Sequence, residues 1–227
     1  ELSFRQVQEG TGNSLDIDGY DRYYRHLILW DEDELEIIGS YRIGEAAKIL
    51  REYGEAGLYT NSLFKFNQAF IPYLENAIEL GRSFIQPRYQ GKRSLDYLWY
   101  GIGAYLCQHP QISYMVGPVS LSTSWPEPAQ QVIAGFYTEL FGNDQLLAVP
   151  RLPFDFDPVQ DFAPFKQVAD ETEYKQAYTL LKERMDALGV KVPILYKQYV
   201  ELCQPGGCEF LGFNIDPHFS NCVDALI

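Results

Sequence analysis

The chain has 227 residues, 46% of them hydrophobic and 22% charged, an ordinary globular composition that excludes a disordered, collagen-like or disulfide-stapled chain. Its net charge of −13 excludes a protein that works by neutralising nucleic-acid phosphates, so no nucleic-acid partner is expected. Aromatic residues reach 15%, with 17 Tyr and 14 Phe, more than a core of this size needs, which favours a large, partly apolar site or interface.

In chain order, residues 26–30 and 35–43 are β-rich runs separated by the acidic turn Asp31–Glu34, which reads as a hairpin. Residues 77–85 read as a third strand with Ile78, Leu80 and Phe84 on one face and Glu79 beside Gly81 on the other. After Gly91 the period changes: Leu95, Leu98, Trp99, Ile102 and Leu106 form one apolar stripe of a helix that Pro110 stops. Residues 112–119 return to strand. Ser124-Trp125-Pro126-Glu127 has capping-box spacing and opens a second helix to about Leu140. The Pro- and Phe-rich stretch 142–169 reads as a long ordered loop or junction. A third helix runs from about Asp170, a candidate cap three residues before Glu173, to Leu188, with Gly189 just past its end. A short helix (194–203) and two strands (208–215 and 220–226) are expected to close the sheet. The fold class is mixed α/β, of the α+β kind: a mixed sheet flanked by helices.

No run approaches the roughly 18–20 apolar residues of a membrane-spanning helix. The chain begins at Glu1 with no basic segment before an apolar one, so no secretory signal is visible, and it reads as a fragment of a longer protein. Cys107, Cys203, Cys208 and Cys222 are expected as free thiols, with a small Cys203–Cys208 disulfide around Pro205-Gly206-Gly207 as the alternative in an oxidising compartment. No metal-ligand spacing occurs. No G-x-S-x-G is present, which argues against a serine nucleophile.

The most informative stretch is Glu79–Arg93. Residues 80–95 hold Arg82, Arg88, Lys92 and Arg93 with no acid, although acids outnumber bases elsewhere. The stretch ends a strand and opens a helix, so the amides near Gln90–Arg93 would point at whatever lies above the helix N-terminus, an anion site. The alternative is a solvated helix start.

Gln90-Gly91-Lys92-Arg93-Ser94-Leu95 resembles motif A of the Gcn5-related N-acyltransferase (GNAT) superfamily, Q/R-x-x-G-x-G/A, although the two motif glycines fall on Arg93 and Leu95. The chain is more similar to the branch that takes long acyl chains from acyl carrier protein: the bacterial ornithine-lipid N-acyltransferases, their relatives labelled haemolysins, and more distantly the acyl-homoserine-lactone synthases. Three pieces carry this resemblance in the family's order. Asp16-Ile17-Asp18-Gly19-Tyr20-Asp21 has its acidic spacing, Gly39-Ser40-Tyr41-Arg42-Ile43 its G-x-x-R-L strand, and Glu79-Leu80-Gly81-Arg82 its E-L-x-R strand.

The resemblance implies a single N-acyltransferase-like domain over 1–227, with a core of about 1–141 and an elaborated C-terminal half. It implies transfer of a fatty or 3-hydroxyfatty acyl group from acyl carrier protein, or from coenzyme A, to the amine of a glycine- or ornithine-like amino acid. The product is an N-acyl amino acid lipid, and no cofactor is permanently bound. Glu79 is the expected general base; the alternative is a structural carboxylate paired with Arg42 or Arg82, the latter needing a bulge near Gly81. Asp16, Asp18 and Asp21 are the acceptor-binding candidates. Arg42 either binds an acceptor carboxylate or pairs with that acidic segment. Arg82, Arg88, Gln90, Gly91, Lys92 and Arg93 are the candidates for the donor phosphate or the carrier. His26, His109 and His218 read as structural first. The expected location is cytoplasmic, with peripheral contact at the inner membrane as the variant. A coenzyme A dependent acyltransferase acting on an amine or lysophospholipid and a non-catalytic lipid- or carrier-binding module are the rival readings.

Overall fold

A computed structural model describes residues 17–157, 160–165 and 171–227. The chain divides into two compact units: one of residues up to Ser62 with Gln68–Pro118 and His218–Ser220, the other of Leu63–Asn67, Val119–Pro217 and Asn221–Ile227.

In the first unit, β1 (Arg25–Asp31) and β2 (Glu36–Glu45) form the expected antiparallel hairpin. Helix α1 (Ala46–Tyr53) follows, then the short α2 (Tyr59–Leu63); sequence patterning left both unassigned. The three-residue β3 (Phe64–Phe66) belongs to the second unit, and the chain returns through α3 (Ile71–Leu74) to β4 (Ala77–Ile85), whose bounds are those the alternation predicts. Helix α4 (Ser94–Gln108) precedes β5 (Tyr114–Val116). The sheet order is β1-β2-β4-β5, antiparallel except for the parallel pair β4–β5. The α4 stripe lies on one face, where Leu98 and Ile102 join Tyr41, Ile43, Ile78 and Leu80 in a buried cluster. Strict alternation then puts Glu79 on the opposite face, with α1 in contact with β4.

Two features of β4 position the site. Pairing with β5 covers only Ala77–Glu79 against Tyr114–Val116, so the rest of β4 leaves that neighbour. Against β2 the register slips between Ser40 and Arg42 as Arg42 faces Gly81 and Ser40 faces Phe84. This is a bulge, and Arg82 within it has φ +46°, the left-handed region that non-glycine residues avoid.

The second unit contains β6 (Pro118–Leu121) from Val119 onward, α5 (Glu127–Phe141), β7 (Ala148–Pro150), α6 (Glu171–Ala187), α7 (Ile194–Leu202), β8 (Gly212–Asp216) and β9 (Cys222–Leu226). Its core joins Ile133, Phe136 and Tyr137 of α5 to Leu181 and Met185 of α6, Tyr196 of α7 and Val223 of β9. The 142–169 stretch contributes β7, paired with β3, and the fully buried Phe162.

Three local expectations are corrected. Residues 112–119 are not one strand: the chain breaks at Gly117, and β5 and β6 belong to different sheets. The terminal strands do not close the first sheet, because β8 and β9 form a separate sheet of order β6-β9-β8. The capping box at Ser124 does not form. Pro126 occupies the N-cap with no side-chain cap, and the Ser124 hydroxyl instead bonds that of Ser122, 2.7 Å away. The candidate cap Asp170 lies outside the described residues.

Candidate active site

Glu79 is 1% exposed. Its Oε2 accepts a short hydrogen bond from the Tyr24 hydroxyl and another from the Tyr59 amide at 3.0 Å, while Oε1 accepts from the Thr60 amide at 2.5 Å. A carboxylate on a buried strand needs such donors, since burying an unpaired charge is prohibitive. Two come from the first turn of α2 and the third from a tyrosine just before β1. Burial, then the charge of Glu79 and the hydrogen bond to it, push the Tyr24 phenol far above its ordinary value. Tyr24 therefore stays protonated at neutral pH as the donor of this pair.

The arginines have other partners. Arg42 shares the face of Glu79, two residues before Gly44, which pairs with Glu79 across β2 and β4. Its side chain is 2% exposed. One terminal nitrogen, Nη1, donates to both oxygens of Asp18 and to Oδ1 of Asp21, each at 2.8 Å. Its Nε is buried without a hydrogen-bond partner among the described residues. The bulge turns Arg82 to this same face, where Nη2 lies 3.1 Å from Asp18 Oδ2. The bulge needed for a Glu79–Arg82 pair thus exists, but the carboxylate that Arg82 meets there is Asp18.

Asp18 and Asp21 are themselves held by a reciprocal capping box on the turn Gly19–Arg22, in which each side chain accepts from the other's amide. Burial works to raise the Asp21 carboxyl. The hydrogen bonds from the Asp18 amide and from Arg42 outweigh it and hold Asp21 below its usual value. For Arg42, burial works to lower the pKa, and the bonds and charges of Asp18 and Asp21 reverse it upward. The rings of Tyr20, Tyr24 and Tyr59 surround the guanidinium with centroids 5.6, 5.1 and 5.6 Å away, a cation–π cage that compensates part of its lost hydration.

Structure thus gathers Glu79, Asp18, Asp21, Arg42 and Arg82 around three tyrosines that sequence reasoning did not single out; Asp16 lies outside the described residues. The only signals for Tyr20, Tyr24 and Tyr59 were the aromatic excess and the cluster Tyr20-Asp21-Arg22-Tyr23-Tyr24. His26 stands 3.9 Å from Asp21, and His109 stacks on Tyr105 at the end of α4.

The second group of candidates forms the turn before α4. Gln90 donates to the Ile85 carbonyl at 3.1 Å, and Gly91 has φ +73°, a conformation that favours glycine. Arg88 is ion-paired with Glu36, Arg93 lies 3.5 Å from Asp96, and Lys92 lies over the Tyr89 ring at 5.2 Å. Arg93 caps α4 with no side-chain hydrogen bond to its amides. The basic island is therefore partly neutralised by carboxylates on the hairpin, on the N-terminal segment and on α4.

Among the described residues, no group of three or more His, Cys, Asp and Glu side chains could hold a metal ion, and no helix is long and apolar enough to cross a membrane.

Residues 1–100 match the family model described as acetyltransferase (GNAT) domain. The chain is 31% identical to a glycine N(alpha)-acyltransferase of Phocaeicola vulgatus, over 89% of this chain and 65% of that protein. It is 32% identical to a glycine N(alpha)-acyltransferase of Bacteroides thetaiotaomicron, over 89% of this chain and 63% of that protein. An L-ornithine N(alpha)-acyltransferase of Agrobacterium fabrum is 27% identical over 70% of this chain and 56% of its own length. The chain thus spans slightly less than two thirds of the two glycine N(alpha)-acyltransferases it matches. No solved structure matches it. Over its first hundred residues the chain thus matches a GNAT acetyltransferase domain, and along most of its length it is similar to proteins named as amino-acid N-acyltransferases.

Proposed function

We propose that the chain carries the transfer chemistry of an amino-acid N-acyltransferase. It moves a fatty or 3-hydroxyfatty acyl group from the thioester of acyl carrier protein to the amine of a glycine- or ornithine-like acceptor, giving an N-acyl amino acid lipid. The names of the relatives support the reaction and the acceptor class. The observation that carries it is the Tyr24–Glu79 pair on the face of β4 where that strand parts from β5.

In this reading the acceptor nitrogen attacks the thioester carbonyl carbon, the C–N bond forms and the C–S bond breaks. The proton leaving the amine passes to Glu79 through the Tyr24 hydroxyl, because both oxygens of Glu79 are already engaged and Tyr24 is its one side-chain hydrogen-bond donor among the described residues. The departing thiolate takes up a proton as free thiol. Amides of the Gly81–Arg82 bulge polarise the carbonyl. Asp18 and Asp21, neutralised by Arg42 and Arg82, frame the acceptor instead of presenting free negative charge. The turn Gln90–Arg93 and the start of α4 receive the donor phosphate, with Arg88, Lys92 and Arg93 at its margin.

Peripheral contact with the membrane that holds the product is supported by the hairpin tip. There Trp30 faces Ile37 in register and Leu35 is 71% exposed.

The test is to incubate the purified chain with acyl carrier protein loaded with a long acyl chain, or with the matching acyl-coenzyme A, and glycine or ornithine. Free thiol and N-acyl product are then measured by mass spectrometry. Product from the carrier-bound donor supports the reading; product from coenzyme A alone replaces the donor; no product with either donor overturns it.

A further inference from the structure

Helix α7 ends at Leu202, and Cys203 is its C-cap, extended in conformation, with its amide bonded to the Val200 carbonyl at 3.2 Å. The next four residues form a tight turn. Gly206, which follows Pro205, has φ +76°, and the Gly207 amide donates to the Gln204 carbonyl at 2.8 Å. This is the type II pattern, a proline followed by a left-handed glycine. The turn folds the chain back onto its start: a Cβ at Gly207 would lie 3.3 Å from that of Cys203. Cys208 follows, and its thiol is hydrogen-bonded to the Cys203 thiol. Beyond it the Phe210 amide donates to the Phe141 carbonyl of α5 at 2.8 Å. A helix end on one side and a core aromatic on the other thus hold two thiols in contact, a condition that cysteine pairs meet only when their Cβ vectors point together.

The two thiols differ in exposure. Cys203 is half-buried and lines a cavity with the exposed turn residues Gln204, Pro205 and Gly206; Cys208 is 8% exposed. The bond to Cys208 holds the Cys203 thiol below its ordinary value, while the same bond and burial push Cys208 up. The thiolate therefore forms first on the sulfur that solvent reaches. Cys107 is exposed on α4 in the first unit, and Cys222 is fully buried in β9.

We propose that Cys203 and Cys208 are a redox modification site, a dithiol that a small-molecule disulfide of the glutathione disulfide kind converts to an internal disulfide. The Cys203 thiolate attacks one sulfur of the small disulfide, forming a mixed disulfide and releasing one thiolate, which takes up a proton. Cys208 loses its proton to water and attacks the Cys203 sulfur, forming the internal S–S bond as the second thiolate leaves and is protonated. Two protein thiols are oxidised, and one small disulfide is reduced to two thiols. No residue of the transfer chemistry takes part, so the site stands or falls apart from the proposed reaction.

The experiment equilibrates the full chain with glutathione and graded glutathione disulfide, quenches with acid, and blocks the remaining thiols with N-ethylmaleimide in denaturant. Cleavage after glutamate releases Leu202–Glu209 as one peptide carrying both cysteines. Mass spectrometry is expected to find this peptide two hydrogens lighter and unblocked. At fixed glutathione, the folded chain is expected to need about tenfold less glutathione disulfide for half-oxidation than the chain in urea, the entropy of about one residue already fixed by the turn. Cys208→Ser is expected to stop with glutathione on Cys203. Cys203→Ser is expected to take up glutathione at Cys208 at least about tenfold more slowly, with the fold of each variant checked by circular dichroism. A mixed disulfide that persists at Cys203 in the wild-type chain, equal half-oxidation of folded and urea-unfolded chain, or capture of Cys208 as fast as Cys203 overturns the proposal. The comparison of folded and unfolded wild type stands even where a serine variant fails to fold.

Discussion

The Tyr24 ring lies across Gly44, and its hydroxyl donates to the Glu79 carboxylate. Gly44 pairs with Glu79 between β2 and β4. A Cβ at position 44 would fall 2.4 Å from Cε1 and 2.8 Å from Cζ of Tyr24. Neither atom is the end of a flexible side chain, so the missing side chain at 44 decides where the hydroxyl goes. Gly44→Ala is predicted to cost about 1–3 kcal/mol in urea unfolding, the usual penalty of overpacking. It should also slow acyl transfer by moving Tyr24 off Glu79; an alanine variant with wild-type stability and turnover contradicts this geometry.

Tyr24→Phe keeps the ring and its place beside Arg42 but removes the donor. On the proposed relay, kcat falls by about 10²-fold, the lower end for a proton-transfer group, while KM for the amino acid changes little. Steady-state kinetics on a variant that keeps its melting transition checks this. A purely structural tyrosine would lower stability and leave kcat per folded molecule unchanged.

Arg82 is the place where backbone and side chain make separate demands. Its φ of +46° is strained for any side chain, and its guanidinium pairs with Asp18. Glycine relieves the strain and alanine does not, so Arg82→Ala is predicted to be less stable than Arg82→Gly by about 1 kcal/mol. This reverses the usual order within a strand. The usual order, measured by chemical denaturation, would mean that the bulge does not hold Arg82 in that conformation.

Asp21 gives the site an acid limb. Its folded-state pKa is lowered, so its contribution is present above the unfolded value of about 4 and is lost as pH falls through the lower folded value. Asp21→Asn should therefore lose less stability than wild type as pH falls below the unfolded value, as read from urea midpoints. Arg42→Met, which leaves Asp18 and Asp21 facing each other without their buried cation, is predicted to cost about 3–5 kcal/mol.

What the sequence disclosed follows the range of the forces involved. The hairpin, β4 and the stripe of α4 are set by local periodicity, and the alternation in β4 correctly separated Glu79 from Ile78 and Leu80. The partner of Glu79 was not visible, because Tyr24 is 55 residues away and a tyrosine before a strand carries no motif. Arg82 was assigned by alternation to the wrong face in the absence of a bulge, and the bulge near Gly81 is a slip of pairing with β2 that Gly81 hints at but does not fix. Likewise, nothing in 222–226 states that its neighbour is β6 and not the first sheet. Strand partners depend on contacts far apart in the chain.

The most direct test of the account is acyl transfer by Glu79→Gln. Gln places an amide donor against one of the backbone donors that Glu79 accepts, at a cost of about 1–3 kcal/mol, so the assay belongs well below the variant's melting transition. With acyl-loaded carrier protein and glycine or ornithine, the account predicts that the folded variant releases thiol and forms N-acyl amino acid at least about 10²-fold more slowly than wild type. Turnover by folded Glu79→Gln close to that of wild type would contradict it.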